Sequence, residues 1–126
     1  MKKQVLITRE VFGEVLDYLS SDFNVAANQE DRVLDAGELA RALAGKDGVL
    51  TTLTERIDAS LLDRCPKLKA VCNIAVGYNN IDVAACSARG IMVTNTPGVL
   101  DDTTADFTWA LILAASRRLN EAEAYL

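Results

Sequence analysis

The sequence of 126 residues contains no histidine, and this absence limits the chemistry that the chain can perform. Histidine is the commonest general acid or base near neutral pH and a frequent metal ligand. Any catalysis therefore needs other groups, or groups outside this chain. The three cysteines, Cys65, Cys72 and Cys86, form no CxxC pair, which favours reduced thiols that pack as small apolar side chains.

Long apolar runs are also missing. No segment reaches the roughly 18 consecutive apolar residues of a membrane span. After the start "MKKQ" only "VLI" precedes polar residues, which is too short for the apolar region of a signal peptide. These absences predict a cytoplasmic protein that does not enter a membrane.

Positive charge is scarce as well, since the formal net charge is -5. Nucleic-acid binding needs a basic face, so we expect no nucleic-acid partner. An anionic ligand would have to be bound by local dipoles rather than by the overall field of the protein.

The apolar residues that are present follow a regular alternation. Their spacing predicts five strands, at residues 4–8, 23–27, 48–53, 68–76 and 91–95, with four helices between them. Most of these strands are nearly continuous apolar runs, as expected when helices cover both faces of a parallel sheet. The fold class is therefore α/β, a flavodoxin-like doubly wound parallel sheet with the strand order 2-1-3-4-5.

Several residues have the pattern of helix ends. Apolar residues within 11–19, Phe12 among them, share one face of the first predicted helix. Asp35 with Glu38 has the spacing of a capping box for the second. Asn79 or Asn80 is predicted to cap the fourth helix, which begins near Ile81.

The segment 101–126 differs from the rest. Thr103 with Asp106 suggests a capping box, and residues 107–116 are apolar around much of the helix that follows. A helix that is apolar on most sides needs burial on most sides. We therefore expect a substrate-binding domain at 1–100 and a connector helix at 101–126 that packs against another domain or a second subunit. The alternative is an ordinary core helix that covers the sheet.

The loop "VGYNN" leaves the predicted fourth strand and enters the fourth helix. Gly77 allows a close approach of the backbone to a ligand, and a positive φ at little cost. The N–H groups of Val76, Gly77 and Tyr78 could converge on an anion, helped by the N-terminus of the helix. A plain turn is the alternative, because such loops between strand and helix are common.

Two classes of protein with this fold do not match the sequence. A flavodoxin needs a serine- or threonine-glycine phosphate loop after strand 1, where this chain has "TREVFGE". A response regulator needs acidic residues at the ends of strands 1 and 3, which here end in Thr8 and Leu53.

The segments "LITRE", "GVLTTLTERID", "VGYNNID", "RGIMVTNTP" and "TAD" together give a specific pattern along the chain. In them the chain resembles the D-isomer-specific 2-hydroxyacid dehydrogenases, and most closely the glyoxylate/hydroxypyruvate reductase branch, which includes 2-ketogluconate reductases. The pair Gly77-Tyr78 favours this branch over the phosphoglycerate dehydrogenase branch.

This resemblance implies a two-domain enzyme that reduces a small 2-keto acid to a D-2-hydroxy acid with NADPH or NADH. It implies that the backbone N–H groups of Ala75, Val76 and Gly77 bind the substrate carboxylate and that Leu53 borders the substrate. It also implies that Thr104 contacts the cofactor near its nicotinamide end. As an alternative, Thr104 only supports the start of its helix.

The chain also departs from the family. The dinucleotide fingerprint GxGxxG and any histidine are absent. The resemblance implies that the family's catalytic arginine, carboxylate and histidine lie beyond residue 126. We therefore expect the N-terminal substrate domain and interdomain helix of a longer NAD(P)-dependent enzyme, inactive alone and self-associating through that helix as a homodimer. One alternative is a non-catalytic 2-keto-acid-binding or regulatory module, and another is a purely structural remnant that binds no ligand. The sequence does not choose between NADH and NADPH, or among the 2-keto acids.

Overall fold

The computed structural model describes residues 1–125 and has an α/β architecture. Its sheet has five strands, all parallel, in the order β2-β1-β3-β4-β5. The predicted fold class and strand order are both confirmed. The strands are β1 (Lys3–Ile7), β2 (Phe23–Ala27), β3 (Gly48–Thr51), β4 (Ala70–Asn73) and β5 (Met92–Thr94).

Helices alternate with the strands along the chain, because parallel neighbours require a crossover connection. They are α1 (Gly13–Asp22), α2 (Ala36–Leu43), α3 (Ala59–Asp63) and α4 (Val83–Ala88), followed after β5 by α5 (Asp101–Ser116) and α6 (Leu119–Glu123). The chain divides into two compact units, Met1–Thr96 and a second that begins at Pro97. The first unit contains the sheet and α1 to α4, and the second contains α5 and α6. The assignment of 101–126 as an interdomain connector stays a prediction.

The core of the first unit consists of aliphatic side chains from the sheet and the helices that cover it. Ile7, Leu43, Ile57 and Val71 are fully buried. Each large aliphatic side chain contributes about 1.5–3 kcal/mol when it is removed from water.

Helix α2 forms as its sequence predicts. Asp35 accepts a hydrogen bond from the Glu38 N–H at 2.7 Å, and the Glu38 carboxylate accepts one from the Asp35 N–H at 2.9 Å. The predicted capping box is thus confirmed, and Leu39 and Leu43 turn into the core. A hydrogen bond from Arg32 to Glu38 also lowers the pKa of that carboxyl to about 2.

Three predictions of helix ends are wrong. Helix α1 begins at Gly13, and Phe12, expected on its apolar face, is 84% exposed because it precedes the helix. Helix α4 begins at Val83 and is capped by Asp82, not by Asn79 or Asn80, because the Asp82 carboxylate accepts from the Ala85 N–H.

The capping box predicted at Thr103 and Asp106 is the third error. Helix α5 begins earlier, at Asp101, with Leu100 at the N-cap and no side-chain cap. The Thr103 hydroxyl instead donates to the Leu100 carbonyl at 3.1 Å. No helix within residues 1–125 is long and apolar enough to cross a membrane.

A buried carboxylate organises the turn that follows β3. Glu55 is 2% exposed, and its oxygens accept hydrogen bonds from four threonines. The donors are the hydroxyls of Thr8 (3.0 Å), Thr51 (2.9 Å), Thr52 (3.2 Å) and Thr54 (2.8 Å), with the Thr52 N–H at 3.3 Å. Burial alone raises the pKa of Glu55, but these donors outweigh it and the pKa is lowered. The carboxylate is therefore charged at neutral pH and ties the ends of β1 and β3 together.

We expect Glu55→Gln to lower the free energy of unfolding by about 1–3 kcal/mol at pH 7, because an amide cannot accept all of these donors. Because folding lowers the Glu55 pKa, this stabilisation is complete above the ordinary value of 4.5 and is lost as pH falls through the lower folded value. Urea unfolding of both proteins at pH 7 and at about pH 3 measures the difference.

Glu30→Gln is the matched control, because Glu30 is exposed. It should change the free energy of unfolding little at either pH. A Glu55→Gln deficit that persists unchanged in acid would contradict the role assigned to the Glu55 carboxylate.

Candidate functional site

In the loop after β4, the backbone carbonyl groups and the backbone N–H groups differ in their hydrogen bonding within residues 1–125. The carbonyl oxygens of Ala75, Val76 and Gly77 each accept one hydrogen bond. The donors are the Thr96 N–H at 2.9 Å, Asn95 Nδ2 at 2.8 Å and Asn73 Nδ2 at 2.8 Å, respectively. The acceptors of this loop are thus occupied by neighbouring protein groups.

The N–H groups of the same loop have no partner within the described residues. Those of Ala75, Val76, Gly77 and Tyr78 donate to no group of residues 1–125. Ala75 is only 8% exposed, and a donor in such surroundings normally has a partner. Consecutive free N–H groups suit an anion, and each charge-assisted bond contributes about 1.5–3 kcal/mol. The loop can therefore hold a small carboxylate without a lysine or arginine.

Gly77 and Leu53 come together in the structure. Gly77 does not adopt the positive φ that its sequence context would permit. The glycines with positive φ are Gly45, Gly90 and Gly98. A Cβ added at Gly77 would meet only the Leu53 Cδ2, at 3.9 Å. The glycine therefore keeps open the space beside Leu53.

The Leu53 side chain lies on the turn after β3 and is 60% exposed. It borders an open cavity of about 340 Å³ that is also lined by Arg9, Asp31 and Ile74. The Arg9 guanidinium is ion-paired with Asp31 at 2.8 Å, so much of its charge is already compensated.

Helix α4 does not assist the loop as expected. Its first residue is Val83, well after Gly77, and Asp82 already binds its first turn. The predicted contribution of the helix N-terminus to anion binding is therefore wrong, and the free loop amides remain as the source of donors.

Sequence reasoning missed the residues that support the loop. Asn73 ends β4 and Asn95 directly follows β5, and both side chains hold loop carbonyls. The available signal was their position, because polar residues at the carboxyl ends of parallel strands border the usual ligand site of this fold.

Thr104 lies in the second unit, in the first turn of α5. Its N–H donates to the Leu100 carbonyl at 2.9 Å, and its carbonyl accepts from the Thr108 hydroxyl at 2.7 Å. Its own hydroxyl makes no hydrogen bond within the part of the chain that the structure describes, so one polar contact to a ligand is available. No group of histidine, cysteine or acidic residues within 1–125 could hold a metal ion.

Comparison with known families decides where the chain belongs. Residues 5–124 match the family described as D-isomer specific 2-hydroxyacid dehydrogenase, catalytic domain. The chain belongs to this family. The resemblance found in the sequence is thereby confirmed.

Curated relatives support the same placement. Glyoxylate reductase from Thermococcus gammatolerans is 44% identical over 125 residues, covering 99% of this chain and 37% of the relative. Glyoxylate reductase from Aeropyrum pernix is 45% identical with the same coverage. The chain thus spans little more than a third of the length of these relatives.

Solved structures agree. A protein from Thermus thermophilus aligns with a TM-score of 0.85 and 40% identity over 97% of this chain and 39% of that chain. The NADPH-dependent glyoxylate/hydroxypyruvate reductase from Sinorhizobium meliloti, in complex with citrate, aligns with a TM-score of 0.79 and 31% identity, covering 99% of this chain and 38% of that one. The same reductase has been solved with NADP and malonate. The family is NAD(P)-dependent, whereas the individual site residues of this chain stay predictions.

The two kinds of glycine should respond differently to a methyl group. Gly77→Ala should change the free energy of unfolding by no more than about 0.5 kcal/mol, because its backbone and surroundings accept a Cβ. Gly90→Ala, at φ 64°, should lower it by about 1–2 kcal/mol. Urea unfolding of both variants measures this, and a Gly77→Ala loss as large as that of Gly90→Ala would show a structural constraint at Gly77.

Proposed function

We propose that this chain is the substrate-domain segment of an NAD(P)-dependent oxidoreductase that reduces small 2-keto acids, such as glyoxylate and hydroxypyruvate, to D-2-hydroxy acids. The loop after β4 carries the proposal: its carbonyls accept hydrogen bonds, while its N–H groups donate to no group of residues 1–125. A 2-keto acid presents the carboxylate that such donors bind. The solved complexes of the Sinorhizobium meliloti reductase with citrate and malonate, both small carboxylates, support this ligand class.

In this proposal the loop binds and orients the substrate. The N–H groups of Ala75, Val76 and Gly77 hold its carboxylate, and Leu53 packs beside it. A Cβ at Gly77 would already contact the Leu53 Cδ2, at 3.9 Å, so the absence of a side chain at Gly77 leaves the loop N–H groups uncovered on the side of Leu53. Holding one end of the substrate fixes the direction in which its C2 carbonyl faces the rest of the enzyme.

No residue of this chain is assigned a catalytic role. Reduction of a keto group needs a proton donor and a positive charge beside the developing alkoxide. The sequence has no histidine, and Arg9, which borders the cavity, is paired with Asp31. The chain by itself is therefore expected to bind substrate without turnover.

The cofactor, NAD or NADP, would supply the hydride. The free hydroxyl of Thr104 fits one polar contact near its nicotinamide end. The chain contains no GxGxxG segment, so the phosphates of the dinucleotide would be bound by residues that this chain does not contain. The choice between NAD and NADP belongs to those residues as well.

The proposal includes residues 1–100 as the substrate domain, residues 101–126 as the connector towards a nucleotide-binding domain, and a cytoplasmic location.

The three cysteines are free thiols. Burial raises the pKa of Cys65 and of Cys86, so these thiols stay protonated at neutral pH and are packed apolar groups. A non-catalytic binding module is less favoured, since the relatives are named glyoxylate reductases.

Titration of the 126-residue chain with glycolate tests the binding role. We expect saturable changes in the amide ¹H–¹⁵N resonances of Ala75, Val76 and Gly77. Gly77→Ala should weaken binding by about tenfold, because its Cβ occupies the space beside Leu53.

Glycolamide is the matched control ligand, because it has the size of glycolate without its charge. It should leave these resonances unchanged. Equal responses to both ligands, or no response to glycolate, would contradict carboxylate binding by this loop. A protein that carries this segment and a nucleotide domain should oxidise NADPH or NADH with glyoxylate.

The proposed homodimer rests on helix α5. Its large apolar side chains are 50–66% exposed: Phe107, Trp109, Leu111, Ile112 and Leu113. Exposed apolar surface of this extent usually marks an interface.

The chain should therefore self-associate at high concentration, as seen by sedimentation velocity over a concentration series. Leu113→Glu should shift the chain towards monomer, because it places a charge within the apolar surface. Ser116→Glu adds the same charge to the same helix outside the apolar set, and should have a smaller effect. A sharp wild-type monomer at every concentration would contradict this interface.

A further inference from the structure

The side chain of Asn80 joins the two loops that form the candidate site. Its Nδ2 donates to the Thr52 carbonyl at 2.9 Å and to the Glu55 carbonyl at 3.0 Å. These two acceptors flank Leu53 in the turn after β3. One amide group therefore holds the backbone on both sides of the residue that borders the cavity.

The other end of the same amide faces the loop after β4. Asn80 Oδ1 accepts from Asn73 Nδ2 at 3.3 Å, and that nitrogen also donates to the Gly77 carbonyl at 2.8 Å. Asn73 is 2% exposed, and its Oδ1 has no donor within residues 1–125. Both side-chain hydrogen bonds of Asn73 are thus donated by its Nδ2, one to Asn80 Oδ1 and one to the Gly77 carbonyl. Asn73 therefore links Asn80 to the loop after β4.

The backbone beside Asn80 strengthens this connection. Ile57 N–H donates to the Asn80 carbonyl at 2.8 Å, and Asp82 N–H donates to the Ile57 carbonyl at 2.8 Å. Ile57 and Ile81, both buried, pair as an isolated parallel bridge. The turn after β3 and the segment before α4 are therefore joined by backbone hydrogen bonds as well as by the Asn80 side chain.

We propose that Asn80 is a positioning residue for substrate binding: its amide holds Leu53 and, through Asn73, the carboxylate-binding N–H groups in one arrangement. This inference rests on the proposed function. Asn80 is not assigned a contact with substrate. It acts on the loops that make those contacts.

Only an amide of this length suits the position. It must donate to two carbonyls and accept from Asn73 at once. An aspartate of the same shape would direct a charged oxygen at the Thr52 and Glu55 carbonyls and would separate the two loops.

Asn80→Asp in the 126-residue chain tests the proposal, with glycolate as the probe. We expect its dissociation constant for glycolate to rise about tenfold or more. The ¹⁵N order parameters of Ala75, Val76 and Gly77 in the free chain should fall, because the loop loses its anchor.

Asn79→Asp is the matched control, since Asn79 is exposed and its side chain makes no hydrogen bond within the described residues. It adds the same charge one residue away, so it reports the electrostatic effect alone, which should be below about threefold. Leu43→Val, in the buried core of α2, is a second control that lowers stability without touching either loop. It should leave glycolate binding and the loop order parameters unchanged.

The outcomes separate the two claims. If the wild-type chain gives no saturable response to glycolate, the proposed function fails and this inference fails with it. If the wild type binds but Asn80→Asp binds as tightly as Asn79→Asp, or keeps its loop order parameters, only the role of Asn80 is overturned. If Leu43→Val weakens glycolate binding as much as Asn80→Asp does, the effect of Asn80 comes from general stability and its positioning role is overturned. Should Asn80→Asp not fold, Asn80→Ser and Asn79→Ser take the same places under the same criteria.

Discussion

The parallel arrangement of the strands is the constraint on which the site depends. Every strand of the sheet delivers its last residues to the same edge, because all five run in one direction. The register pairs Thr51 with Asn73 on neighbouring strands, and Thr8 follows β1 at the same edge. Polar side chains from distant parts of the chain therefore meet there and must satisfy one another's hydrogen bonds. The Glu55 carboxylate accepts hydrogen bonds from the threonine hydroxyls, and the side-chain amides of Asn73 and Asn80 donate to backbone carbonyls.

This solution has an electrostatic consequence. The chain is acidic overall, and the charged Glu55 carboxylate lies in the turn beside the candidate anion loop. Its donors offset its charge locally but do not remove it. Anion binding by the loop therefore depends on short-range N–H dipoles, which act over one hydrogen bond, and not on a long-range attractive field. Under the proposed function we therefore expect the chain alone to bind a small carboxylate weakly, because it supplies no unpaired positive charge beside the loop.

The sequence allowed the fold to be predicted because its signals there are local or periodic. Continuous apolar strands, alternating helices and the Asp35–Glu38 capping box all lie within short windows, and each was confirmed. The hydrogen bonds of the Asn80 side chain had no such signal. Its partners at Thr52 and Glu55 are distant in sequence. The sequence alone therefore could not distinguish an asparagine that caps a helix from one that connects two loops. Strand β4 ends at Asn73, before the predicted residue 76: the Ile74 N–H still donates to the Thr51 carbonyl, but the Val76 carbonyl accepts from the Asn95 side chain and not from a neighbouring strand.

The proposed binding through the backbone has a consequence for which substrates this loop would distinguish. In that proposal the N–H groups contact only the carboxylate, which all small 2-keto acids share, whatever side chains the loop carries. The loop therefore cannot separate glyoxylate from hydroxypyruvate by that contact. Selection must come from side chains that meet the rest of the substrate, and Leu53, 60% exposed and beside Gly77, is placed for such a role. An apolar contact discriminates one small group by only about 1–3 kcal/mol, so a site of this construction favours a class of related acids over a single one.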